Sequence, residues 1–327
     1  MHEQSTDVPA FLRPFKDASF SATSYVEGLF PHDELGMPAH ACWWPSNSPV
    51  NSEGAIFVFI PGNPGLIEFY IPFLSAMHED CKGRMAILAH GYLGHSPKVH
   101  ANSTNHTKTV YGLDAQLQST IEVIDILRVT FGQSARLILA GHSVGSWITM
   151  QVLKARPEAV ASVVLLFPTL AHIASTPNGR RLSPLFRPLL RSIISNFSKA
   201  AHVLPLALLK LLFSHWPPAQ LAVLRSFITC PASVYAALNM ADDEMNTIQD
   251  LDVRLLQDYR DRIHIFFAEH DDWVGEQKEA ILSAFHPDPR SLKIVHAHED
   301  IPHAFCINHG DMLARQCLDW LELGELT

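Results

Sequence analysis

Six short apolar runs, each followed by turn residues or by a stretch with helical periodicity, restrict this chain to a small set of folds. The runs are Ala55–Ile60, Met85–Ala89, Arg136–Ala140, Ala161–Phe167, Arg262–Ala268 and Ser291–His296. Continuous apolar runs of this length suit strands covered on both faces, and covering both faces of a parallel sheet takes helices. The intervening sequence supplies them. Asp114 to Phe131 repeats Leu117, Ile121, Ile124 and Leu127 at the spacing of one helical face. Ser146 to Ala155 reads as a helix stopped by Pro157, and Glu276 to Phe285 as a short helix. Met312 to Leu323 closes the chain with Met312, Leu313, Cys317, Leu318, Trp320 and Leu321 on one side. Strands alternating with helices predict βαβ units and a mostly parallel central sheet flanked by helices, an α/β fold.

Composition narrows the function classes. The apolar fraction of 47% supplies a large core, and disorder as the main state is excluded. A net charge of −9 argues against general nucleic-acid binding, which needs a basic surface. Five cysteines at 42, 81, 230, 306 and 317 form no CxxC pair, which predicts reduced thiols rather than a disulfide framework or a structural zinc site. Met1 to Phe20 has neither the apolar core of a signal peptide nor an Arg-rich amphipathic pattern, and Glu325-Leu326-Thr327 matches no lipidation or address box. Most of the nineteen histidines read as solvated or loop residues, so net charge should climb as pH falls through about 6.5.

Gly141-His-Ser-Val-Gly145 joins the third run to the helix after it, the setting in which G-x-S-x-G presents a nucleophilic serine. The turn forces Ser143 into strained backbone angles, and bulk at 141 or 145 collides with the neighbouring strand or helix. The Val144 amide, at the helix N-terminus, points to where an oxyanion forms. Without chemistry, the same residues make a glycine-rich strand-to-helix turn. The serine needs a base and the base an orienting acid, both after it in the chain in α/β-hydrolase order. From Ala159 to Ala241 there is no Asp or Glu, so the acid comes later. Asp271 and Asp272 follow the fifth run. Asp271, nearer the strand, is the expected acid; Asp272 is the alternative acid and also reads as a helix N-cap. After the sixth run, His303 in Asp300-Ile-Pro-His-Ala-Phe305 is expected as base over His298 in the polar Ala297-His-Glu-Asp300; either is otherwise a surface-loop histidine. The second oxyanion donor should come from Pro61-Gly-Asn-Pro-Gly65. Pro64 has no N–H and Gly62 leaves room for substrate, which points to Asn63; the rival reading is a plain turn. This chemistry calls for no metal and no cofactor.

The acid-free segment holds Arg180, Arg181, Arg187, Arg191, Lys199, Lys210 and Arg225, a charge of +7 that leaves −16 on the remainder. It predicts a cap over residues 170–241, inserted in a single domain spanning 1–327. Pro188 to Ser198 places Leu189, Leu190, Ile193, Ile194 and Phe197 on one helix face, with Arg187, Arg191 and Lys199 off it. Ala200 to Phe213 is almost wholly apolar but is shorter than the ~18–20 residues of a spanning helix, so no transmembrane helix is expected. The cap reads as a lid over the active site and as an amphipathic element for a lipid interface, and the two roles are compatible.

Local motifs over almost the whole length carry a resemblance. They are Ile60-Pro-Gly-Asn-Pro-Gly65, Phe69-Tyr70 with Pro72-Phe73, His90-Gly91 with Gly94-His95, Tyr111-Gly112-Leu113 and Gly141-His-Ser-Val-Gly-Ser146. Leu165-Leu-Phe-Pro-Thr169, Pro177-Asn-Gly-Arg180, Asp271 with Trp273, and Ile301-Pro-His-Ala-Phe305 complete the set. Together they resemble the lipid droplet-associated hydrolase family, of the α/β-hydrolase fold. The resemblance implies Ser143, Asp271 and His303 at the triad positions, and a lipase-like esterase acting on neutral lipid esters, either sterol esters or acylglycerols. It also implies association with a lipid-droplet or membrane surface through the 184–229 part of the cap. The implied location is the droplet surface and cytoplasm, including the endoplasmic reticulum face, without secretion. One departure is local: the family-like Asp-Pro-Trp is here Asp271-Asp272-Trp273, and the extra carboxylate is a competitor for His303. The alternatives are a droplet-surface protein with little turnover and a soluble carboxylesterase or thioesterase for small substrates.

Overall fold

The computed structural model describes residues 8–15, 24–47, 54–102, 111–203, 205–285, 293–297 and 301–324. Its strands are β1 (Arg13–Pro14), β2 (Val26–Phe30), β3 (Ala39–Trp44), β4 (Ala55–Ile60), β5 (Ala86–His90), β6 (Arg136–His142), β7 (Val160–Leu166), β8 (Ile263–Phe267) and β9 (Ile294–His296). They form one sheet in the order β1-β2-β3-β5-β4-β6-β7-β8-β9. From β5 onward in that order every pairing is parallel, and β1, β2 and β3 add antiparallel pairings at one edge.

Helices cover both faces. The first four are α1 (Ile71–Asp80), α2 (Pro97–Asn102), α3 (Leu113–Phe131) and α4 (Val144–Ala155). Five more, α5 (Pro177–Phe186), α6 (Pro188–Phe197), α7 (Leu206–Leu212), α8 (Pro218–Ile228) and α9 (Pro231–Thr247), lie between β7 and β8. The last are α10 (Val253–Asp258), α11 (Gln277–Phe285) and α12 (Gly310–Gly324). The strands separate two apolar layers. Along β4, Ile56, Val58 and Ile60 pack with Ile124 and Leu127 of α3 and Ile148 of α4. The alternate residues Phe57 and Phe59 pack with Phe73 of α1 and with Leu313 and Trp320 of α12. Truncating either buried Phe to Ala should cost about 3–5 kcal/mol.

This topology locates a site before any chemistry is considered. After β4 the chain turns to one side, to β5; after β6 it turns to the other, to β7. The carboxyl ends of β4 and β6 therefore flank a switch point, where open α/β sheets bind ligands. Ile60 pairs with Gly141 there, so the loops that follow them are neighbours.

Three expectations need correcting. The three antiparallel strands were not among the predicted six: β2 alternates apolar with half-buried residues, and β3 carries His40 in place of a branched apolar residue. The buried stripe of α3 runs through Gln116, Ser119, Thr120, Val123, Ile124 and Leu127, leaving Leu117 and Ile121 half-buried. Gln116 is buried in this stripe with both ends of its amide paired, accepting from Leu93 N (2.8 Å) and donating to Leu93 O (3.2 Å). Met312 faces outward while Leu313, Cys317, Leu318, Trp320 and Leu321 are buried. Among the described histidines a minority, His32, His40, His78, His90, His95 and His142, are buried, and the others are half-buried or exposed. Burial holds His90 and His142 well below the usual histidine range and His95 down to about 4, so these three do not add charge near pH 6.5.

Candidate active site

Ser143 sits between β6 and α4 with φ 54° and ψ −122°. A non-glycine residue there costs of order 1–3 kcal/mol and persists only where its surroundings hold it. Two glycines make the turn possible. A Cβ at Gly141 would lie 2.3 Å from Gly145 O, and one at Gly145 would lie 2.3 Å from Ile60 O. Ser143 N donates to Leu166 O (3.0 Å), and Ser146 Oγ donates to Gly141 O (2.7 Å), closing the turn from both sides. Val144 opens α4, so its N–H has no intrahelical acceptor and lies at the positive end of the helix.

The loop after β8 brings Asp271 to His303. Asp271 Oδ2 accepts from His303 Nδ1 at 2.8 Å, with both side chains largely shielded from solvent. Its other oxygen accepts from Trp273 N (2.9 Å) and Val274 N (3.3 Å). The capping carboxylate is thus Asp271, whereas Asp272 was expected as the cap; the Asp272 side chain is exposed and contacts no His303 atom. His303 lies in the turn before α12, and its ring packs edge-on to Phe167 (5.9 Å between centroids). His298 lies outside the described residues.

His142, inside the serine motif, ties these loops together. Its Nε2 bonds the carbonyl of His303 at 2.9 Å, and a carbonyl only accepts, so Nε2 carries the proton. Nδ1 is then an acceptor, and Tyr70 Oη donates to it at 2.7 Å. Tyr70 Oη in turn accepts from Gly62 N at 3.1 Å. This buried chain runs from the 61–65 loop, past Ser143, to the backbone of His303. Burial, with the proximity of His303, keeps the His142 ring neutral, as the chain requires.

The 61–65 loop is held along its length. Tyr92 Oη donates to Pro61 O, and His95 Nδ1 donates to Pro64 O (2.8 Å). Gly65 N donates to Gly62 O (2.7 Å). The Asn63 side chain donates to Ala237 O (2.9 Å) and Glu244 Oε1 (2.8 Å), both on α9. Gly62 N is spent on Tyr70 and Pro64 has no N–H. The backbone N–H of Asn63 is therefore the one amide of the loop without a partner among the described residues. Gly62 does make room, but not for substrate as expected: a Cβ there would meet His142 Nδ1 (2.7 Å) and Ser143 Cβ (3.0 Å). Tyr70, Tyr92, His142 and Glu244 were not singled out from the sequence. The available signals were Phe69-Tyr70 directly after the loop and the return of acids at Asp242-Asp243-Glu244 after the acid-free stretch.

Elsewhere, Glu27, His40 and Cys42 place three potential metal ligands within 4.8 Å of one another. The cluster is already charge-balanced. Lys98 Nζ bonds Glu27 Oε1 and lies 3.7 Å from Glu68, and His40 lies between the two carboxylates. Against the cost of burial, Glu68 and Glu27 raise His40 well above the usual histidine range, and His40 and Lys98 hold Glu68 down to about 2. Burial pushes the Cys42 thiol up to about 11, so a cation would have to displace an ammonium and strip a resistant thiol. A cavity of about 440 Å³ opens behind the acid loop, lined by Thr176, Arg180, Asp271, Gly275 and Lys278. Neither Ser143 nor the 61–65 loop lines it, so it is not the space over the nucleophile.

The outer cap has the opposite character. Among the described residues, nine of the twelve exposed large apolar side chains lie between Leu185 and Leu212, including Leu189, Phe197, Val203 and Leu211. Arg187, Lys199 and Lys210 are exposed among them. The cap is fastened from beneath: Arg191 of α6 bonds Asp242 (3.2 Å) and lies over Tyr235, and Gln220 of α8 donates to Phe69 O and Cys306 O. No single described helix is long and apolar enough to cross a membrane.

Comparison with known proteins agrees with this architecture. Mouse lipid droplet-associated hydrolase is 26% identical over 287 residues, covering 83% of this chain and 86% of its own. The human protein of the same name is 36% identical over 140 residues, covering 40% and 42%. Among solved structures, a 2-hydroxy-6-oxo-6-phenylhexa-2,4-dienoate hydrolase from Rhodococcus superposes with a TM-score of 0.64 at 15% identity, covering 91% of this chain and 99% of its own. A haloalkane dehalogenase from Agrobacterium tumefaciens does so with a TM-score of 0.63 at 14% identity, covering 92% and 97%. Those two act on different bonds, so the likeness establishes the α/β-hydrolase fold and not the substrate. Residues 53–306 match the lipid-droplet associated hydrolase family. On fold, motif and relatives together, the chain is a hydrolase and belongs to that family.

Proposed function

We propose that this hydrolase cleaves carboxylic esters of neutral lipids, sterol esters or acylglycerols, with Ser143 as nucleophile, His303 as base and Asp271 as orienting acid. The observation that carries the reading is the 2.8 Å bond from His303 Nδ1 to Asp271, at the carboxyl end of the sheet that bears Ser143 on its strained turn. With Nδ1 donating to Asp271, His303 Nε2 is the free base. It takes the Ser143 proton as Oγ attacks the ester carbonyl, and the negative oxygen is received by the N–H groups of Val144 and Asn63. His303 returns the proton to the leaving alcohol, and water releases the acyl group by the same route. Each oxyanion donor is worth about 3–4 kcal/mol of barrier. The exposed apolar and basic outer cap favours a water-insoluble substrate and docking on a lipid-droplet surface, the location printed in the relatives' names.

The test is labelling with a fluorescent fluorophosphonate, which reacts with an activated serine. Wild type should label and Ser143→Ala and His303→Ala should not, with thermal stability of Ser143→Ala nearly unchanged. Labelling that persists in folded Ser143→Ala sinks the mechanism. A folded wild type that stays unlabelled with and without lipid emulsion would favour a droplet-surface protein with little turnover. A preference for short, water-soluble esters across an acyl-length series would favour a soluble esterase or thioesterase.

A further inference from the structure

The body of the protein holds the 61–65 loop through Tyr70, Tyr92 and His95, and the cap holds it through the Asn63 side chain alone. The cap contact is specific. Asn63 Nδ2 is shared between the Ala237 carbonyl and the carboxyl of Glu244 on α9, and Glu244 is 4% exposed. The residue whose side chain is latched is the one whose backbone N–H is unengaged, and the loop's next-door backbone, at Gly62, abuts Ser143. We propose that Glu244 is a positioning residue, a neutral carboxylic acid that fixes the Asn63 amide for the oxyanion and so makes α9 of the cap part of the catalytic frame. The proposal rests on the serine-hydrolase reading for its effect on rate.

Electrostatics agree with the geometry. Burial raises the Glu244 carboxyl to about 8, the bond from Asn63 opposes this, and the charge of Asp243 adds to it. The titratable neighbours are Asp243 on α9, whose carboxylate accepts from Leu113 N, and Tyr92 from the loop after β5. Tyr92 is itself pushed well above its ordinary value by burial and by Glu244. His95, on the same loop, is held neutral by burial, and Arg191 of α6 is engaged with Asp242. No cation balances Glu244 among these groups, so near neutrality it keeps its proton. When it ionises, a negative charge appears behind the amide that must receive another negative charge.

Wild type, Glu244→Gln and Glu244→Ala are compared by fluorophosphonate labelling rate and by hydrolysis of a soluble nitrophenyl ester between about pH 6 and 10, each with a thermal melt. Wild type should lose kcat with a midpoint near 8. Glu244→Gln keeps an acceptor for Asn63 and never ionises, so it should lack that alkaline limb. Glu244→Ala should be slower throughout by about tenfold, in kcat rather than KM. Asn63→Ala keeps the backbone N–H and should match Glu244→Ala, with no further loss when the two are combined. An alkaline limb that survives in Glu244→Gln, or fully additive losses in folded double variants, overturns the assignment. If Glu244→Ala fails to fold, the comparison of wild type with Glu244→Gln decides alone. Should wild type not label at any pH, the serine-hydrolase reading falls separately, and the carboxyl is tested by stability. An acid raised on folding contributes stability present below its unfolded value and lost as pH rises through its folded one. The melting temperature of wild type relative to Glu244→Gln should therefore fall between about pH 4.5 and 8, and a flat difference overturns the proposal.

Discussion

The 61–65 loop and the outer cap helices α6 and α7 solve opposite problems. In the loop, Pro61 O, Gly62 N, Pro64 O and Gly65 N each have a partner, and one amide is left over beside Ser143. On α6 and α7, Leu189, Phe197, Leu211 and Leu212 face solvent with no apolar neighbour to cover them. Buried polar groups that are all paired make a rigid frame, and a single donor left open in such a frame costs no reorganisation when charge develops next to it. Large apolar side chains left outside cost solvation until something covers them. One region is thus finished as it stands and the other leaves its apolar surface uncovered. Substitutions in the first should change rate and stability, whereas substitutions in the second should change where the protein goes.

The largest effect is expected at Asp271, the proposed acid. Asp271→Asn keeps an oxygen for Trp273 N, so the turn survives, but it no longer stabilises the His303 tautomer that leaves Nε2 free for its proposed role as base. The acylation rate should fall by about 10⁴ with little change in melting temperature. Retention of the wild-type labelling rate would show that the Asp271–His303 contact is structural only. A smaller effect is expected in the chain behind the nucleophile. Tyr70→Phe removes the hydroxyl that serves both Gly62 N and His142 Nδ1. Two buried groups then lack a partner, at about 1–3 kcal/mol each, so denaturant midpoints should drop. Acylation should slow by about tenfold as the loop loosens. A stability loss without any change in rate would mean that the frame does not need this contact to hold its open amide.

How much of this was legible follows from which contacts are local. Gly141 and Gly145 announce the serine turn because the collisions they avoid, with Gly145 O and Ile60 O, are made by the turn itself. Asp271 could be singled out because it follows a strand end and the gap without acids removed earlier competitors, and His303 because it lies in the apolar-flanked loop before the last helix. The six parallel strands declare themselves by burial on both faces, as in Ala55–Ile60. What stayed hidden depends on distant partners. Gln116 on the buried stripe of α3 pairs with Leu93, and Glu244 meets Asn63 across 181 residues. The cap was likewise misplaced at Asp272, which directly precedes Trp273, because only the turn geometry shows that Asp271 accepts from Trp273 N and Val274 N. Which histidines would be buried was hidden for the same reason: His32 is satisfied by Glu122 (2.6 Å) and His90 (2.9 Å), partners that no local pattern reveals.

The smallest effect on the folded protein, and the sharpest on its location, is expected at the cap. Replacing Leu189, Phe197 and Leu211 by Ser removes three apolar side chains that are 72%, 73% and 75% exposed. Since they cover nothing, the melting temperature should shift by no more than about 0.5 kcal/mol implies. Fluorophosphonate labelling in water should keep the wild-type rate, because none of the three touches the frame around Ser143. Ile194, which shares the predicted face with Leu189, is half-buried and is left in place to avoid a packing defect. If this surface docks on lipid, full burial of each side chain contributes about 1.5–3 kcal/mol, and even partial burial of three predicts a loss of about tenfold or more in partitioning to a neutral-lipid emulsion. The exposed Arg187, Lys199 and Lys210 allow a separate reading. Binding driven by them would fall with salt and require anionic lipid, whereas binding driven by the leucines would not. Wild-type partitioning in the triple variant would assign the exposed apolar face to another partner, and the contrast between a finished frame and an unfinished surface would need a different occupant for the latter.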